Sequence, residues 1–463
     1  MNTERFKENR IYDPKDIDDI SYVKRLMEYE SLIPGFSKEF SADPQGVLKK
    51  IGIPLTPRDV AFDPHTVENG NVIMNPKYPD TPAAKYARFM NSKFAHRDEI
   101  KKYCTPVNPA MKKWRERQIC RCAIQLGAKF QSLIHAPFAI ELSDGCSVGC
   151  PFCGLAAERL KSVFFHTPEN AELFKGVINA AREIIGDAVS EGTLYFGTEP
   201  LDNPDYELFM KDFTDIFGNI PQITTARSTM YIERLRPLLA EINRTQKNVY
   251  RFSILSEKMA GEIFEAFTPQ ELILTELLPQ YEEAPSCALV NSGKNGKDDD
   301  YGDTISCITG FVVNMARKDI KLATPVWASK EHPTGELILE RAKFTDPEDF
   351  KEKILGMISR HMSNLIAPDD RIRLEDGISL ELLEDKVVIN TDRYVSVNLE
   401  AKGDLSIFKK IFDALGKGYR YKRDIVSELC VLGDGKIIPP EIVYYVINKW
   451  WGMGLIKTES GKV

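Results

Sequence analysis

Apolar residues return at three- and four-residue intervals through "DIDDISYVKRLMEYESLIPGF" and "AAKYARFMNSKFAHRDEIKKYC", which predicts two long helices near the start of the chain. Between them, "FDPHTVENGNVIMNPKYPDTP" carries so many turn formers that it is expected to be irregular. The helical period resumes in "PAMKKWRERQICRCAIQLGAKFQSLI", together with Lys112, Lys113, Arg115, Arg117 and Arg121. Two readings account for these cations: a solvated helix face, or a groove for an acidic peptide.

From residue 138 short apolar runs alternate with longer amphipathic ones. "FAIELS", "GTLYFG", "PQITTA", "VYRFSIL" and "LILTELL" read as strands. The segments between them, "ENAELFKGVINAAREIIG", "NPDYELFMKDFTDIFG", "MYIERLRPLLAEIN" and "SEKMAGEIFEAF", read as helices. Such alternation predicts parallel βα units, with the chemistry at the carboxyl ends of the strands. The polar, glycine-spaced stretch 291–303 is expected to be a mobile loop. Paired strands are then expected in "TISCITGFVVNMA" and "IKLATPVWAS", and a helix in "DPEDFKEKILGMISRHMSNL". The tail has its own texture: three short strands, "ISLELLED", "KVVINTD" and "YVSVNLE", precede three helical segments. The expected domains are a mainly helical unit at 1–135, an α/β unit at 136–365 and a winged-helix-like module at 366–463.

Composition narrows the function classes. Hydrophobic residues make up 43% of the 463 and charged ones 28%, as in a soluble globular protein. The net charge of −7 argues against phosphate-driven nucleic-acid binding, and the last helix adds little basic character beyond Lys449. The charged N-terminus lacks the apolar core of a secretory signal, and no run reaches the roughly 18 apolar residues of a membrane span. Neither nucleic acid nor membrane is expected as a partner. Nine clustered cysteines suit a reducing, cytoplasmic setting better than a disulfide scaffold.

Three of those cysteines, Cys146, Cys150 and Cys153, crowd into "GCSVGCPFCG". Structural zinc usually takes four protein ligands, and no second C-x2-C knuckle follows. Thiolates also bind a [4Fe–4S] cluster, where three cysteines would leave one iron open for a non-protein ligand. Gly145 and Gly149 would let the chain wrap closely around such a group.

The C-x3-C-x2-C spacing with an aromatic residue before the last cysteine resembles the signature of radical S-adenosylmethionine (SAM) enzymes. The resemblance implies a partial (β/α)6-type barrel, here with a helical N-terminal domain and a C-terminal winged module. It also implies one [4Fe–4S] cluster on Cys146, Cys150 and Cys153, with SAM on the open iron. An electron, from a donor such as flavodoxin or ferredoxin, would cleave SAM to a hydrogen-abstracting 5′-deoxyadenosyl radical. The family's SAM-contacting segment after the second strand matches Gly197, Thr198 and Glu199, whose carboxylate suits the SAM ammonium. Arg251 and Ser253, two apart on one strand face, are candidates for the SAM carboxylate and ribose. Thr225 and Arg227 are weaker candidates, since threonine is common at strand ends.

Wider stretches, including "HAPFAIELSDGCSVGCPFCGLAAERL" and "TISCITGFVVNMARK", resemble the radical SAM peptide epimerases that mature ribosomally made, proteusin-type precursors. That implies abstraction of a Cα hydrogen from a core-peptide residue and hydrogen return from a cysteine thiol on the opposite face. The chain departs from the pattern at Val326, where a cysteine is expected after Pro325. Cys307, in "TISCITG", is the replacement donor proposed from sequence. The missing cysteine keeps two alternatives open: splicease-type excision of a tyramine unit, or a non-catalytic SAM- and peptide-binding subunit. The tail resembles the small modules that bind a leader peptide by strand addition, so a leader-bearing precursor is an expected partner, with a small accessory recognition protein as another. A purely structural winged module is the other reading of the tail.

Overall fold

The computed structural model describes residues 10–459 except 69–70, 288, 297–300, 394, 401–404 and 431–437. Helix α1 (Ile17–Leu32) is followed by the short α2 (Phe36–Ala42) and α3 (Pro44–Lys50). The turn-rich segment expected to be irregular forms an antiparallel ribbon, β1 (Phe62–Glu68) with β2 (Asn71–Pro76). The β-branched residues Thr66, Val67, Val72 and Ile73 favour the paired strands. Helices α4 (Pro82–Tyr103) and α5 (Pro109–Leu126) come next. Each opens on proline, whose missing N–H costs nothing at a position that has no helical acceptor.

The α/β region begins with β3 (Ala136–Glu141), then a miniature pair, β4 (Ser143–Asp144) and β5 (Ser162–Val163). Helix α6 (Pro168–Ile185), capped by the Thr167 hydroxyl, leads to α7 (Tyr206–Phe217). Strand β6 (Thr224–Thr225), α8 (Ile232–Thr245), β7 (Tyr250–Ile254), α9 (Glu257–Ala266) and β8 (Thr275–Pro279) complete the alternation. Strands β6, β7 and β8 are parallel, as the βα pattern predicts. The expected strand in "GTLYFG" is reduced to one parallel bridge, Ala139 to Thr193. Beyond it, β9 (Ile308–Asn314), β10 (Asp319–Pro325) and β11 (Glu336–Lys343) precede α10 (Pro347–His361). The sheet order is β11-β10-β9-β3, with β9 parallel to β3. Among the described residues the longer strands of this region fall into two separate sheets, β11-β10-β9-β3 and β6-β7-β8, apart from the β4-β5 pair, so no closed barrel results. The fold is mixed α/β.

In the tail, β12 (Arg371–Leu374), β13 (Ile378–Leu382), β14 (Lys386–Thr391) and β15 (Ser396–Glu400) precede α11 (Ser406–Gly416). Then come β16 (Arg420–Tyr421), α12 (Lys422–Cys430), α13 (Pro440–Gly452) and β17 (Ile456–Thr458). The three strands expected from sequence pair antiparallel in the order β13-β14-β15. A second sheet, β16-β12-β17, was not legible because each strand is four residues or fewer.

One hydrophobic cluster runs from Ile11 to Met362, so the N-terminal helices and the α/β strands share a core. A second gathers Ile366 to Ile456 with Ile124 of α5. The arginines of α5 explain the junction, and they correct both sequence readings of that helix. Lys112 and Lys113 are exposed, but Arg115, Arg117 and Arg121 are buried. Arg115 donates to the carbonyls of His135 and Ile134. Arg117 donates to the Ser363 carbonyl and stacks 4.3 Å from the Trp451 ring. Arg121 donates to the Pro325 carbonyl and the Thr324 hydroxyl. Their guanidinium forks pin otherwise orphaned carbonyls to α5.

Candidate active site

Glu141 ends β3, and the β4–β5 pair closes the neck of a loop spanning residues 145–161. Inside it the Cys146 N–H donates to the Glu158 carbonyl at 2.9 Å, and Leu160 donates back to the Cys146 carbonyl at 3.2 Å. Gly145 sits at φ +86°, where an added Cβ would lie 2.3 Å from the Arg159 carbonyl oxygen. Only glycine fits that close approach.

The loop presents Cys146, Cys150 and Cys153 half-buried and unoxidised. Among the described residues no three His, Cys, Asp or Glu side chains form a group that could hold a metal ion. A polynuclear cluster takes one thiolate per iron. Burial, then the neighbouring Cys153 and Cys146, pushes the Cys150 thiol up to about 11. Three uncompensated thiolates are therefore unfavourable here, and bound iron would relieve that by deprotonating its ligands. Backbone N–H groups already face the sulfurs: Ala157 donates to Cys153 Sγ at 3.4 Å, and Val148 and Gly149 to Cys146. Soft thiols with N–H groups aimed at sulfur fit an iron–sulfur cluster.

The loop is moored from below. Ser147 donates its N–H to Asp202 at 2.8 Å and its hydroxyl to the other carboxylate oxygen. Arg227 donates to the Ser147 hydroxyl at 2.7 Å. Glu199, three residues before Asp202, accepts from the Thr225 hydroxyl at 2.6 Å and from the N–H groups of Ala226 and Leu201. Burial pushes the Glu199 carboxyl up to about 7, against the pull of those donors. Two of these bonds join the segment after Thr193 to the end of β6, and the third, from Leu201, caps the turn that follows Glu199.

A cleft of about 440 Å³ opens beside the loop, lined by Gly145, Leu155, Gly197, Thr198, Lys321 and Glu336 among others. Glu141 accepts from the Gly197 N–H at 2.8 Å and marks its floor. On β7 and β8 buried residues alternate with half-buried ones, so Arg251, Ser253 and Glu276 share the less buried face. There Arg251 pairs with Glu276 at 2.9 Å, and Lys93 of α4 reaches the same carboxylate at 2.8 Å. Burial pushes the Cys307 thiol up while nearby Arg251 pulls it down.

No protein-family model matches the chain. The y4wI protein of Sinorhizobium fredii, an uncharacterised protein, is 33% identical over 382 residues, covering 78% of this chain and 74% of that protein. The chain belongs to the y4wI family. Among solved structures, BtrN in complex with AdoMet and 2-DOIA aligns with 49% of this y4wI-family chain and 82% of its own. The TM-score is 0.31 at 13% identity, too low to assign the fold.

The structure thus gathers two groups in this y4wI-family chain. Cys146, Cys150, Cys153, Glu199, Thr225 and Arg227 share the loop and its mooring, while Arg251 stands apart from them on β7, near enough to Cys307 to influence its thiol. Gly197 and Thr198 line the cleft beside the loop. Ser147, Asp202, Glu276, Lys93 and Lys294 were not singled out from sequence. Asp202 carried a faint signal, an acid at the same strand end as Glu199; the others act across long separations that no local pattern encodes. His135 is buried at the start of β3, its Nδ1 bonded to Thr309, at the end of the strand opposite the cysteines. Val326 is buried, and the thiol beside that point belongs to Cys122 of α5, which donates to the Pro325 carbonyl at 3.3 Å. Among the described residues no helix is long and apolar enough to cross a membrane.

Proposed function

We propose that this chain is a radical SAM enzyme acting on a ribosomally made, leader-bearing peptide, with Cα epimerisation as the reaction. The observation that carries the reading is the loop itself: three half-buried thiols with backbone N–H groups on sulfur, next to a polar cleft. Cluster and SAM, when bound, would supply a hydrogen-abstracting radical. The chain's own part is to hold and orient. Cys146, Cys150 and Cys153 would ligate iron, and Gly197, Thr198 and Glu199 would receive the methionine end of SAM. Glu199 keeps an acceptor position for an ammonium, whose charge would favour the ionised carboxylate. Arg251 and Ser253 would meet the SAM carboxylate or ribose from the inner strand face. Cys307, beside Arg251, would return hydrogen to the peptide radical. The tail would capture the leader by strand addition; β13 and β15 each pair on one side only among the described residues, which supports this reading.

A second reading, excision of tyramine, is favoured by one observation. The position after Pro325 holds buried Val326, and the adjacent Cys122 thiol is fully buried. Excision needs no thiol donor. Anaerobic reconstitution should give about four irons and four sulfides per chain, and the reduced protein should cleave SAM. Zinc without iron would overturn the reading. Turnover of a candidate precursor in deuterated water then separates the outcomes. Epimerisation adds one deuterium without breaking the backbone, whereas excision removes the mass of tyramine. Cys307→Ala should abolish D-residue formation while SAM cleavage continues.

A further inference from the structure

The stretch expected to be a mobile loop begins, in its described part, as a tightly packed strap. We propose that residues 290–295 clamp the cysteine loop in its ligand-bearing shape, with Gly293 and Lys294 as positioning residues. The proposal rests on the cluster reading above and extends it to a segment well over a hundred residues away in sequence.

The strap satisfies the carbonyls of the loop's second half. The Lys294 N–H donates to the Cys153 carbonyl at 2.9 Å, and its Nζ to the Ala157 carbonyl at 2.7 Å. The Ser292 hydroxyl donates to the Gly154 carbonyl at 3.1 Å. These bonds hold the carbonyl of Cys153 itself and the chain that follows it, and Ala157 is also the residue whose N–H faces the Cys153 sulfur. The two backbones approach so closely that neither tolerates a side chain. A Cβ on Gly293, at φ +58°, would lie 2.3 Å from the Cys153 carbonyl oxygen and 2.5 Å from that of Gly154. A Cβ on Gly154 would meet the Val290 side chain at 2.9 Å and the Ser292 hydroxyl at 3.0 Å. Backbone oxygens cannot move aside as a flexible side chain can, so Gly293 is required by the contact.

The strap is itself fixed. Asn295 donates its side-chain amide to the Val290 carbonyl at 2.9 Å, and the Gly293 N–H donates to Pro333 at 2.6 Å. Pro333 lies in the turn between β10 and β11, next to Thr334 of the cleft wall. The clamp therefore ties the cysteine loop to the wall of the cleft.

The test uses the full chain in two states. In the metal-free protein, hydrogen exchange of amides 146–158 is compared between the parent, Gly293→Ala, Lys294→Ala and Lys294→Arg. Loss of one or two loop hydrogen bonds should speed exchange at residues 153–157 roughly fivefold to tenfold in the first two variants. The global unfolding midpoint should stay near the parent's. In reconstituted protein, the same two variants should lose iron to a chelator several-fold faster and show altered paramagnetic resonance of the reduced cluster. Lys294→Arg should restore most of both properties. Parent-like exchange and iron loss in folded variants would overturn the clamp. Should Gly293→Ala fail to fold, Lys294→Ala decides alone, because it leaves the backbone contact intact. A parent chain that binds no iron overturns the radical SAM reading, and exchange in the metal-free protein still decides the clamp.

Discussion

Ser147 and Asp202 form the mooring of the cysteine loop: one carboxylate takes both the N–H and the hydroxyl of the residue after Cys146. A bidentate, charge-assisted grip of this kind fixes the backbone of Ser147 as well as its side chain. Asp202→Ala should release that end of the loop while leaving the apolar core untouched. The local cost should be about 1.5–3 kcal/mol, the range for hydrogen bonds to charged groups. Iron retained per chain after reconstitution and desalting should fall well below the parent's, with an unchanged far-ultraviolet spectrum. Full iron retention in the variant would remove Asp202 from the site.

Glu199 should make stability depend on pH. Its folded carboxyl is raised to about 7 from an ordinary 4.5, so the folded chain holds that proton more tightly than the unfolded chain. The contribution is fully present below about pH 4.5 and is lost as pH rises through about 7, roughly 3 kcal/mol over the window. Urea unfolding of the metal-free protein at pH 5 and pH 7.5 measures it. Glu199→Gln, which cannot ionise, should flatten this part of the profile. SAM binding at pH 6.5 should release a proton if its ammonium meets Glu199, read by calorimetry in two buffers of different ionisation enthalpy.

Glu276 holds two cations, Lys93 and Arg251, and its own side chain is 29% exposed. Burial works against its charge, but Lys93 and then Arg251 outweigh that and hold the carboxyl below the usual range. Glu276→Ala would leave two cations facing each other, whereas Arg251→Ala leaves a Lys93–Glu276 pair. The first should cost about 2–3 kcal/mol, less than for a fully buried pair because solvent reaches the group. The second should cost less. Equal losses in chemical denaturation would argue against this asymmetry.

Arg117 joins the tail to the rest of the chain through the Ser363 carbonyl and the Trp451 ring. Arg117→Ala should cost about 2 kcal/mol, the range for a desolvated cation–π contact. Limited proteolysis should then cut near residues 362–370 sooner than in the parent. Lysine should rescue poorly, since it cannot lie flat on an indole while donating to a carbonyl.

Local sequence determined the elements whose signal is local. The period of α6, the proline and asparagine that open α5, and the alternation in β7 are each set by residues within a few positions of one another. The cysteine spacing likewise fixed the identity of the candidate ligands, because three thiols within eight residues need no tertiary help to be near one another. Tertiary structure decided what those elements do to each other. Arg115, Arg117 and Arg121 read as a solvated face or a peptide groove, yet distant carbonyls made their burial favourable. The "GTLYFG" strand kept its place beside β3 but shrank to one bridge, since pairing depends on the partner's register as well as on propensity. Residues 291–303 are polar and glycine-spaced, as a free loop would be. Gly293 instead admits the Cys153 backbone, and Lys294 meets a carbonyl 137 residues away. Such contacts leave no periodic trace in the chain, because each is made by a single pair of backbones brought together only when the strands and helices have packed.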